Sequence, residues 1–596
     1  MPRVTAAELV EEATDPAIDA PAPRRLRTVL AAIAPHLGYL VLALAVTGRL
    51  WIHRDIRLAA ANDTDHQQFL WFIADVAHSI AHGHNPLLSH DLNVPDQVNM
   101  MANTSIMGLA VPLAPVTLLF GAPATFIICL VLSLAGTASA WYWLLGRHVV
   151  DSRLAAFVGA GFCGFGPGMI SQAGGHPNLT AQFLVPLIIW RVIRLREPGR
   201  EVRNGIVLGL LVVYQIFINE EVLLLTAVAL AIFVGVYALM RRDEVRPQIR
   251  PFLLGLLVTA ALAVPLLVYP LSVQFFGPGH YTGLPPGVDK YNIDVLSFPA
   301  FARRTLLGNA HDAMKVTMSA NEEASFLGWP LLLFTIGAAW AMWRRPLVRA
   351  MMITGLVFTI LSLGSWLTVY HHKTHIPAPL VVLRRIPPFD LTTATRYAMA
   401  IGPVVGVLIA IAGAALLRWA GPDRRRRVLV GALATAVLLP IAPRPLLVKD
   451  QPVPAFITSG EWRQYVDRDH TLVTAPLPRN NHMDGMRWAA LTGIGFALPR
   501  GYFMGPRGVT DLRANWEPPL RPTSTLLDRV AAKGTIPLIV EQNRIDARAD
   551  LRYWRAAIVV VSPAQQHADK LVQAVTELLG SPPQVVGGVW LWDVRS

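Results

Sequence analysis

Apolar runs of about 20 residues recur along this sequence and limit the folds open to it more than any other feature. Of the 596 residues, 53% are hydrophobic and only 15% are charged, which is more apolar than a typical soluble protein. A run of this length crosses a bilayer as one α-helix, because every backbone polar group is then paired within the segment. We therefore predict a polytopic α-helical membrane protein.

The basic residues predict the orientation of these helices. The formal net charge of +13 comes largely from short segments between the apolar runs, a pattern typical of cytoplasmic loops and of contact with membrane lipids. A nucleic-acid partner is therefore not expected. The pattern places the protein in the plasma (inner) membrane, with residues 1–24 as a disordered cytoplasmic tail. About eleven spans are predicted, near residues 29–50, 123–145, 153–171, 179–196, 204–219, 221–241, 251–273, 325–343, 348–368, 396–418 and 427–447.

One apolar segment, Ile106–Gly121, does not fit this scheme. It is short and contains Pro112 and Pro115. If it spanned the membrane, Arg147 and Arg153 would lie outside and every later basic loop would be inverted. We therefore expect an interfacial or half-membrane helix here. The transmembrane domain then covers residues 25–447, with outer loops at 51–122, 275–323 and 370–395.

The composition changes after residue 447. Residues 448–596 alternate predicted helices with predicted strands, which indicates a small extracytoplasmic α/β domain. The predicted strands are 471–475, 557–561 and 585–592, and the predicted helices are 461–467, 524–533 and 566–579. The two cysteines, Cys129 and Cys163, both lie in apolar runs, so no disulfide framework is expected outside the membrane.

Two aspartates lie just beyond the first span, in Asn62-Asp63-Thr64-Asp65-His66. In an extended loop alternate side chains point the same way. Asp63 and Asp65 could then act as catalytic bases on one hydroxyl, or together bind one Mg²⁺ or Mn²⁺ ion. A solvated polar loop is the alternative. We count the adjacent His66 among the candidate substrate-binding residues.

The segment 67–83 is amphipathic and predicts a helix on the outer membrane surface. Asp75, His78 and His82 share one side of that helix and are residue types that ligate metals. A polar helix face at the level of the lipid headgroups is the interpretation that we favour for these three residues.

Three further outer-side motifs provide candidate substrate-binding residues. His176 and Asn178 occupy a turn after the third span. Glu220 and Glu221 separate two apolar runs, a depth at which a carboxylate is costly and indicates function. Arg396 opens a later span, and its guanidinium group suits contact with a lipid phosphate. The alternatives are a tight polar turn, a short solvated turn, and an arginine that reaches the membrane interface.

The Asp63-Thr64-Asp65 loop, the predicted surface helices over 67–121, and seven spans followed by the loop 275–323 resemble the GT-C superfamily of membrane glycosyltransferases. The resemblance covers roughly residues 25–325. It implies transfer of a sugar from a polyprenyl-phosphate donor to an envelope glycan, lipid or protein acceptor on the outer face. It also implies that Asp63 or Asp65 is the base or a metal ligand. That Arg396 holds the donor phosphate is our own inference.

Two other classes of function stay open. A transporter or flippase for a lipid-linked or small polar substrate would use Glu220 and Glu221 as a coupling or binding site. A non-catalytic assembly factor would use its outer α/β domain to recruit a partner. The sequence contains no Walker A loop, which argues against an ATP-driven pump.

Overall fold

The computed structural model describes residues 22–104 and 106–595, with side chains from Leu30 onward except that of Asp289. The predicted cytoplasmic tail, residues 1–24, therefore lies almost wholly outside the described residues. The helices are α1 (Ala22–Trp51), α2 (Asp63–His82), α3 (Met107–Ala110), α4 (Ala114–His148), α5 (Arg153–Phe165), α6 (Pro167–Gln172), α7 (Pro177–Thr180), α8 (Val185–Arg194), α9 (Glu201–Ile218), α10 (Glu220–Met240), α11 (Arg242–Val245), α12 (Ile249–Phe276), α13 (Ala310–Ala313), α14 (Trp329–Ala341), α15 (Pro346–Ser362), α16 (Leu380–Leu383), α17 (Ile401–Ala420), α18 (Arg424–Leu438), α19 (Ala455–Thr458), α20 (Asp484–Leu491), α21 (Pro522–Lys533), α22 (Glu541–Tyr553) and α23 (Ala568–Leu579).

The strands are short and form small sheets. They are β1 (Arg57–Ala59), β2 (Leu88–Ser89), β3 (Val98–Asn99), β4 (Trp366–Val369), β5 (His372–Pro377), β6 (Val448–Asp450), β7 (Thr471–Thr474), β8 (Gly505–Pro506), β9 (Ala514–Asn515), β10 (Ala556–Val561), β11 (Gln584–Val586) and β12 (Val589–Asp593).

Seven helical segments of the described chain are long and apolar enough to cross a membrane. They are Leu30–Trp51, Ala114–His148, Arg153–Gln172, Glu201–Ile218, Glu220–Met240, Arg242–Phe276 and Ala394–Ala420. The other four predicted spans correspond to shorter helices: α8 has 10 residues, α14 has 13, α15 has 17 and α18 has 15. A multi-pass helical membrane protein is the architecture that results.

The ambiguous segment Ile106–Gly121 is separated from the long helix that follows it. Helix α3 is one turn long, and α4 is interrupted at Gly121, whose φ of 83° and ψ of 162° are not helical. Glycine tolerates this conformation because it has no Cβ, and Pro123 follows directly. The first turns of α4 therefore run in a different direction from its main part.

Helix α2 begins at the aspartate motif, where an extended loop was predicted. The Asn62 side chain accepts a hydrogen bond from the Asp65 N–H and caps the helix, and acidic residues in a first turn are stabilised by the helix dipole. The helix ends at Gly83, which adopts a left-handed conformation with φ of 70°.

Helix α2 was predicted to lie on the outer membrane surface, but it is buried between other helices. The helix lies between α4 and α20, and Trp71, Phe72 and Ile73 are fully buried. Asp75, expected on a polar face, is also buried, and its Oδ1 accepts a hydrogen bond of 2.7 Å from Ser89. A face that would be solvated on a free surface is covered by α20, from the C-terminal part of the chain.

The C-terminal part is built on a four-stranded sheet in the order β11-β12-β10-β7. Strand β7 is parallel to β10, whereas β12 is antiparallel to both β10 and β11. Helices α21, α22 and α23 pack on the sheet around a second apolar core that includes Val559 and Leu571. Strand β6 pairs with β1 and holds this part against the segment that follows α1.

Candidate active site

A cavity of about 1000 Å³ lies between α2, α9, α10, α12 and the C-terminal part of the chain. Six of the sequence-predicted site residues line it, although they come from distant parts of the chain: Asp65, His176, Asn178, Glu220, Glu221 and Arg396. The predicted residues Asp63 and His66 do not line it.

The carboxylate of Asp65 has several close polar neighbours. Its Oδ2 lies 2.8 Å from Nε2 of His176 and also accepts a hydrogen bond from the Asn62 amide. The hydroxyl of Tyr502 also interacts with this carboxylate. Burial alone would raise the pKa of Asp65, but the hydrogen bond and charge of His176, with Asn62 and Arg396, bring it below the usual value. Asp65 is therefore ionised and faces the cavity.

Asp63 points away from Asp65, because the two residues occupy successive positions of a helix rather than an extended loop. Its Oδ2 lies 2.7 Å from Nζ of Lys449. The described residues contain no group of three His, Cys, Asp or Glu side chains placed to hold a metal ion. This arrangement does not fit the predicted Mg²⁺ or Mn²⁺ site on Asp63 and Asp65.

His66 is a buried packing residue in this structure. Its ring stacks on Phe126 with centroids 4.0 Å apart, and its Nδ1 accepts a hydrogen bond of 2.9 Å from the Ala59 N–H. Burial, with the nearby charge of Arg487, lowers the pKa of His66 to about 3. The side chain is thus neutral and does not contact the cavity, which does not support the predicted substrate-binding role.

Arg396 connects two carboxylates on the cavity wall. Its Nη1 lies 3.2 Å from Glu221 and its Nε lies 3.1 Å from Glu322. The backbone N–H of Thr393 donates a second hydrogen bond to Glu221. Burial raises the pKa of Glu322, but Arg396, Thr395 and His176 together bring it below its usual value. The wall therefore presents an ordered cluster of one guanidinium and two carboxylate groups.

The remaining predicted residues occupy other parts of the wall. Glu220 accepts a hydrogen bond of 2.8 Å from the Gln274 amide, so the two adjacent glutamates have different partners. Asn178 is 6% exposed, and its Oδ1 is without a hydrogen-bond partner among the described residues.

Apolar side chains of the long helices also line this cavity. Ile216 comes from α9, Leu223 and Leu224 from α10, and Leu271 and Phe275 from α12. All three helices belong to the segments that are long and apolar enough to span a membrane. The lining of the cavity therefore combines charged groups with apolar side chains from helices of membrane-crossing length.

Several lining residues were missed by the sequence analysis. Glu322 belongs to an acidic pair directly before an apolar run, the same signal that identified Glu220 and Glu221, so it was detectable. Lys290 and Tyr291 lie in a predicted outer loop without a distinguishing pattern, and Tyr502 follows more than 400 residues after Asp65. No local pattern could have brought Tyr502 to this site.

The second candidate metal group does not assemble either. Asp75 is buried and bonded to Ser89, as described above. The rings of His78 and His82 are tilted relative to each other with centroids 4.2 Å apart, and Nε2 of His78 lies 3.9 Å from Asp91. The polar face at headgroup level that we favoured for these three residues is therefore wrong for Asp75, which is buried.

A protein-family model described as "Domain of unknown function (DUF6311)" matches residues 36–439. A comparison with curated proteins finds no match. Among solved structures, the apo oligosaccharyltransferase of Archaeoglobus fulgidus has a TM-score of 0.50 at 10% identity, covering 89% of this chain and 69% of that one. Arabinofuranosyltransferase AftD from Mycobacteria has a TM-score of 0.52 at 15% identity, covering 96% of this chain and 42% of that one.

These similarities confirm the predicted GT-C fold. At such low sequence identity they establish the fold and leave the chemistry to the site itself. This chain spans less than half the length of the mycobacterial protein.

Proposed function

This chain belongs to the DUF6311 family and has a GT-C fold. We propose that it is a membrane glycosyltransferase. It would move a sugar from a polyprenyl-phosphate donor to an acceptor of the cell envelope, which would be a glycan, a lipid or a protein.

The observation that carries the proposal is the mixed lining of the cavity. Asp65, His176 and Arg396 line it together with apolar side chains of α10 and α12. A substrate that contacts both kinds of side chain must be amphiphilic, because apolar groups are stabilised by contact with hydrocarbon and charged groups by contact with polar groups. A polyprenyl chain carrying a phosphate-linked sugar has this character.

Asp65 would act as the base. It takes the proton of the acceptor hydroxyl, the acceptor oxygen bonds to the anomeric carbon, and the bond from that carbon to the phosphate oxygen breaks. The electron pair leaves with the polyprenyl phosphate, and the proton on Asp65 is later lost to water. The carboxylate suits this role because it is ionised and lines the cavity.

Arg396 and Lys290 would neutralise the leaving phosphate. The Nε and Nη1 groups of Arg396 are engaged by Glu322 and Glu221, so its remaining N–H groups are the ones left for a ligand. Lys290 lines the cavity, is exposed, and forms no ion pair within the described part of the chain. A cation at each position would stabilise charge as it develops on the phosphate.

The same proposal includes the membrane arrangement. About eleven helices would cross the membrane, with the N-terminus in the cytoplasm and residues 448–596 as an α/β domain on the outer face. Basic loops between the helices support this orientation, and the contact of Tyr502 with Asp65 supports an active site on the same side as that domain.

Asp65→Asn tests the proposal, with Asp63→Asn as its matched control two residues away. We expect Asp65→Asn to lower transfer by about 10²- to 10⁴-fold, because an amide does not accept the hydroxyl proton. Asp63→Asn should retain most of the activity, since Asp63 faces Lys449 outside the cavity.

The assay supplies radiolabelled undecaprenyl-phosphate sugars, as a panel of hexoses and pentoses, to membranes of a deletion strain that contain each variant. Equal transfer by both variants and the wild type would refute the role of Asp65. Movement of the intact lipid-linked sugar across proteoliposomes, without transfer, would replace the proposal with a flippase.

A further inference from the structure

Trp516 is an aromatic residue of the C-terminal part that lines the cavity. Its indole Nε1–H donates a hydrogen bond of 3.0 Å to the backbone carbonyl of Pro286, in the predicted outer loop 275–323. The ring lies nearly parallel to that of Tyr502, at 22° and with centroids 5.9 Å apart. Because the indole has only this one polar group, Trp516 offers carbon surface to a molecule in the cavity.

Tyr502 connects Trp516 to the proposed base. It also lines the cavity, and its hydroxyl interacts with the carboxylate of Asp65. Its backbone carbonyl accepts a hydrogen bond of 3.0 Å from the amide of Gln68, one turn further along α2. Tyr502 is thus next to both Asp65 and Trp516. A molecule at least as large as one sugar ring, with a hydroxyl at Asp65, therefore lies beside Trp516.

Asn480 adds a polar group between the same two residues. Its backbone carbonyl accepts a hydrogen bond of 3.0 Å from the hydroxyl of Thr64, which precedes Asp65. Its backbone N–H donates one of 3.3 Å to Glu517, which follows Trp516. The Asn480 side chain lines the cavity, is exposed, and forms no hydrogen bond within the described part of the chain. Its amide can therefore both donate to and accept from hydroxyl groups of a ligand.

Four charged residues hold this wall of the cavity in place. Each of two arginines pairs with both of two acids at N–O distances of 2.6 to 3.3 Å, and the four are Arg479, Arg500, Glu517 and Asp528. The set contains the residue before Asn480 and the residue after Trp516, and Asp528 joins it to α21. Several charge-assisted bonds to one group restrict its orientation. Trp516 and Asn480 are therefore positioned before a ligand binds, which lowers the entropy cost of binding.

We infer that Trp516 and Asn480 bind a sugar ring of the acceptor, so that the acceptor is a glycan. The C–H face of a sugar packs on the electron-rich face of an aromatic ring, and its hydroxyls exchange hydrogen bonds with an amide. Asp65 then receives the proton of the hydroxyl at which transfer occurs. The inference rests on the proposed function, because it takes Asp65 as the base.

The other two acceptor classes match fewer of these groups. A hydrocarbon chain would cover Trp516 but leave the amide of Asn480 without a partner. A serine or threonine of a peptide supplies one hydroxyl, and Asp65 uses it. A sugar ring supplies one hydroxyl to Asp65, others to Asn480, and its C–H face to Trp516.

Trp516→Ala tests the inference through the KM for the acceptor. We expect the KM for the acceptor glycan to rise about tenfold, because its C–H face loses an aromatic partner, while the KM for the lipid-linked donor stays within about twofold. Trp516→Phe should recover most of the acceptor affinity. Trp590→Ala is the control, because Trp590 lies on β12 and does not line the cavity. A raised KM for the donor with an unchanged KM for the acceptor would overturn the inference.

Binding is also measured without transfer. Saturation-transfer NMR titrations use the full-length protein in nanodiscs and di- and trisaccharides of glucose, galactose, mannose and arabinose. At least one saccharide should bind the wild type, with an affinity about tenfold lower in Trp516→Ala but unchanged in Trp590→Ala. An affinity that Trp516→Ala does not change, or no binding by the wild type, would overturn the inference. Saccharide binding that depends on Trp516 in a protein that transfers no sugar would refute the proposed function and leave this binding surface established.

The product of transfer identifies the acceptor class. Linkage analysis of the radiolabelled product should find the label in a bond between two sugars. Label attached to a peptide side chain, or directly to a lipid alcohol, would overturn the inference even if Trp516→Ala lowers the rate.

Discussion

Replacing Arg396 by glutamine should lower the free energy of unfolding by several kcal/mol, because it leaves two buried carboxylates without their partner. The Arg396 side chain is 16% exposed, and its partners Glu221 and Glu322 are 20% and 7% exposed. At 3.1 and 3.2 Å, each pair has a gross attraction of about 5 kcal/mol at an effective dielectric constant of 20. Desolvation offsets much of this attraction, so the expected loss is about 3–5 kcal/mol, the usual cost of leaving buried charge without its partner.

The pH dependence of this loss follows from Glu322. Its pKa lies below the usual value, chiefly because Arg396 outweighs the effect of burial. The stability from this carboxylate is therefore present above its unfolded-state pKa of about 4.3, and it is lost as the pH falls through the lower folded-state value. In Arg396→Gln that contribution is absent, so the difference between variant and wild type should be largest at pH 7 and shrink below about pH 4.

The measurement is the apparent unfolding midpoint in detergent, followed by tryptophan fluorescence in increasing denaturant at pH 7 and at about pH 3. Lys449→Gln is the control, because it breaks the more exposed ion pair with Asp63 and should cost at most about 1 kcal/mol. Adding Glu322→Gln to Arg396→Gln should recover part of the loss. Equal midpoints for Arg396→Gln and Lys449→Gln at pH 7 would refute the assignment of this cluster as a buried charge network.

Two further stability predictions concern helix α2. The pKa of His66 is lowered to about 3 in the folded protein, so the unfolded chain binds a proton on His66 more tightly. As the pH is lowered from 6.5 to 3, the free energy of unfolding should therefore fall by up to about 1.4 kcal/mol per pH unit. His66→Phe should flatten that slope in an acid titration of the unfolding midpoint, and an unchanged slope would contradict the assignment. Burial raises the pKa of Asp75 to about 8, so at pH 7 this carboxyl is protonated in the folded protein but ionised in the unfolded chain. The folded state therefore loses stability relative to the unfolded state as the pH rises from about 4 to 8. Asp75→Asn should stabilise the protein at pH 7 by up to about 4 kcal/mol, with little effect at pH 4, and a loss of stability at pH 7 would contradict the buried position of Asp75.

The sequence by itself was sufficient for features that depend on local pattern. Apolar runs of membrane-crossing length identified the helical membrane architecture, since the length of a run and its lack of charge are properties of a continuous segment. The acidic pair Glu220–Glu221 and the basic Arg396 stood out for the same reason, because charge is rare and costly beside such runs. The structure places all three residues on one cavity.

Only the tertiary structure decided how these groups are paired. Asn62 starts α2 at Asp63, and residues two apart on a helix differ by about 200° in direction, so Asp63 faces Lys449 while Asp65 faces His176. Contacts of this kind join residues that are far apart along the chain, as Tyr502 joins Asp65. Periodicity and composition describe one segment at a time, whereas the partner of a side chain depends on how several segments pack together.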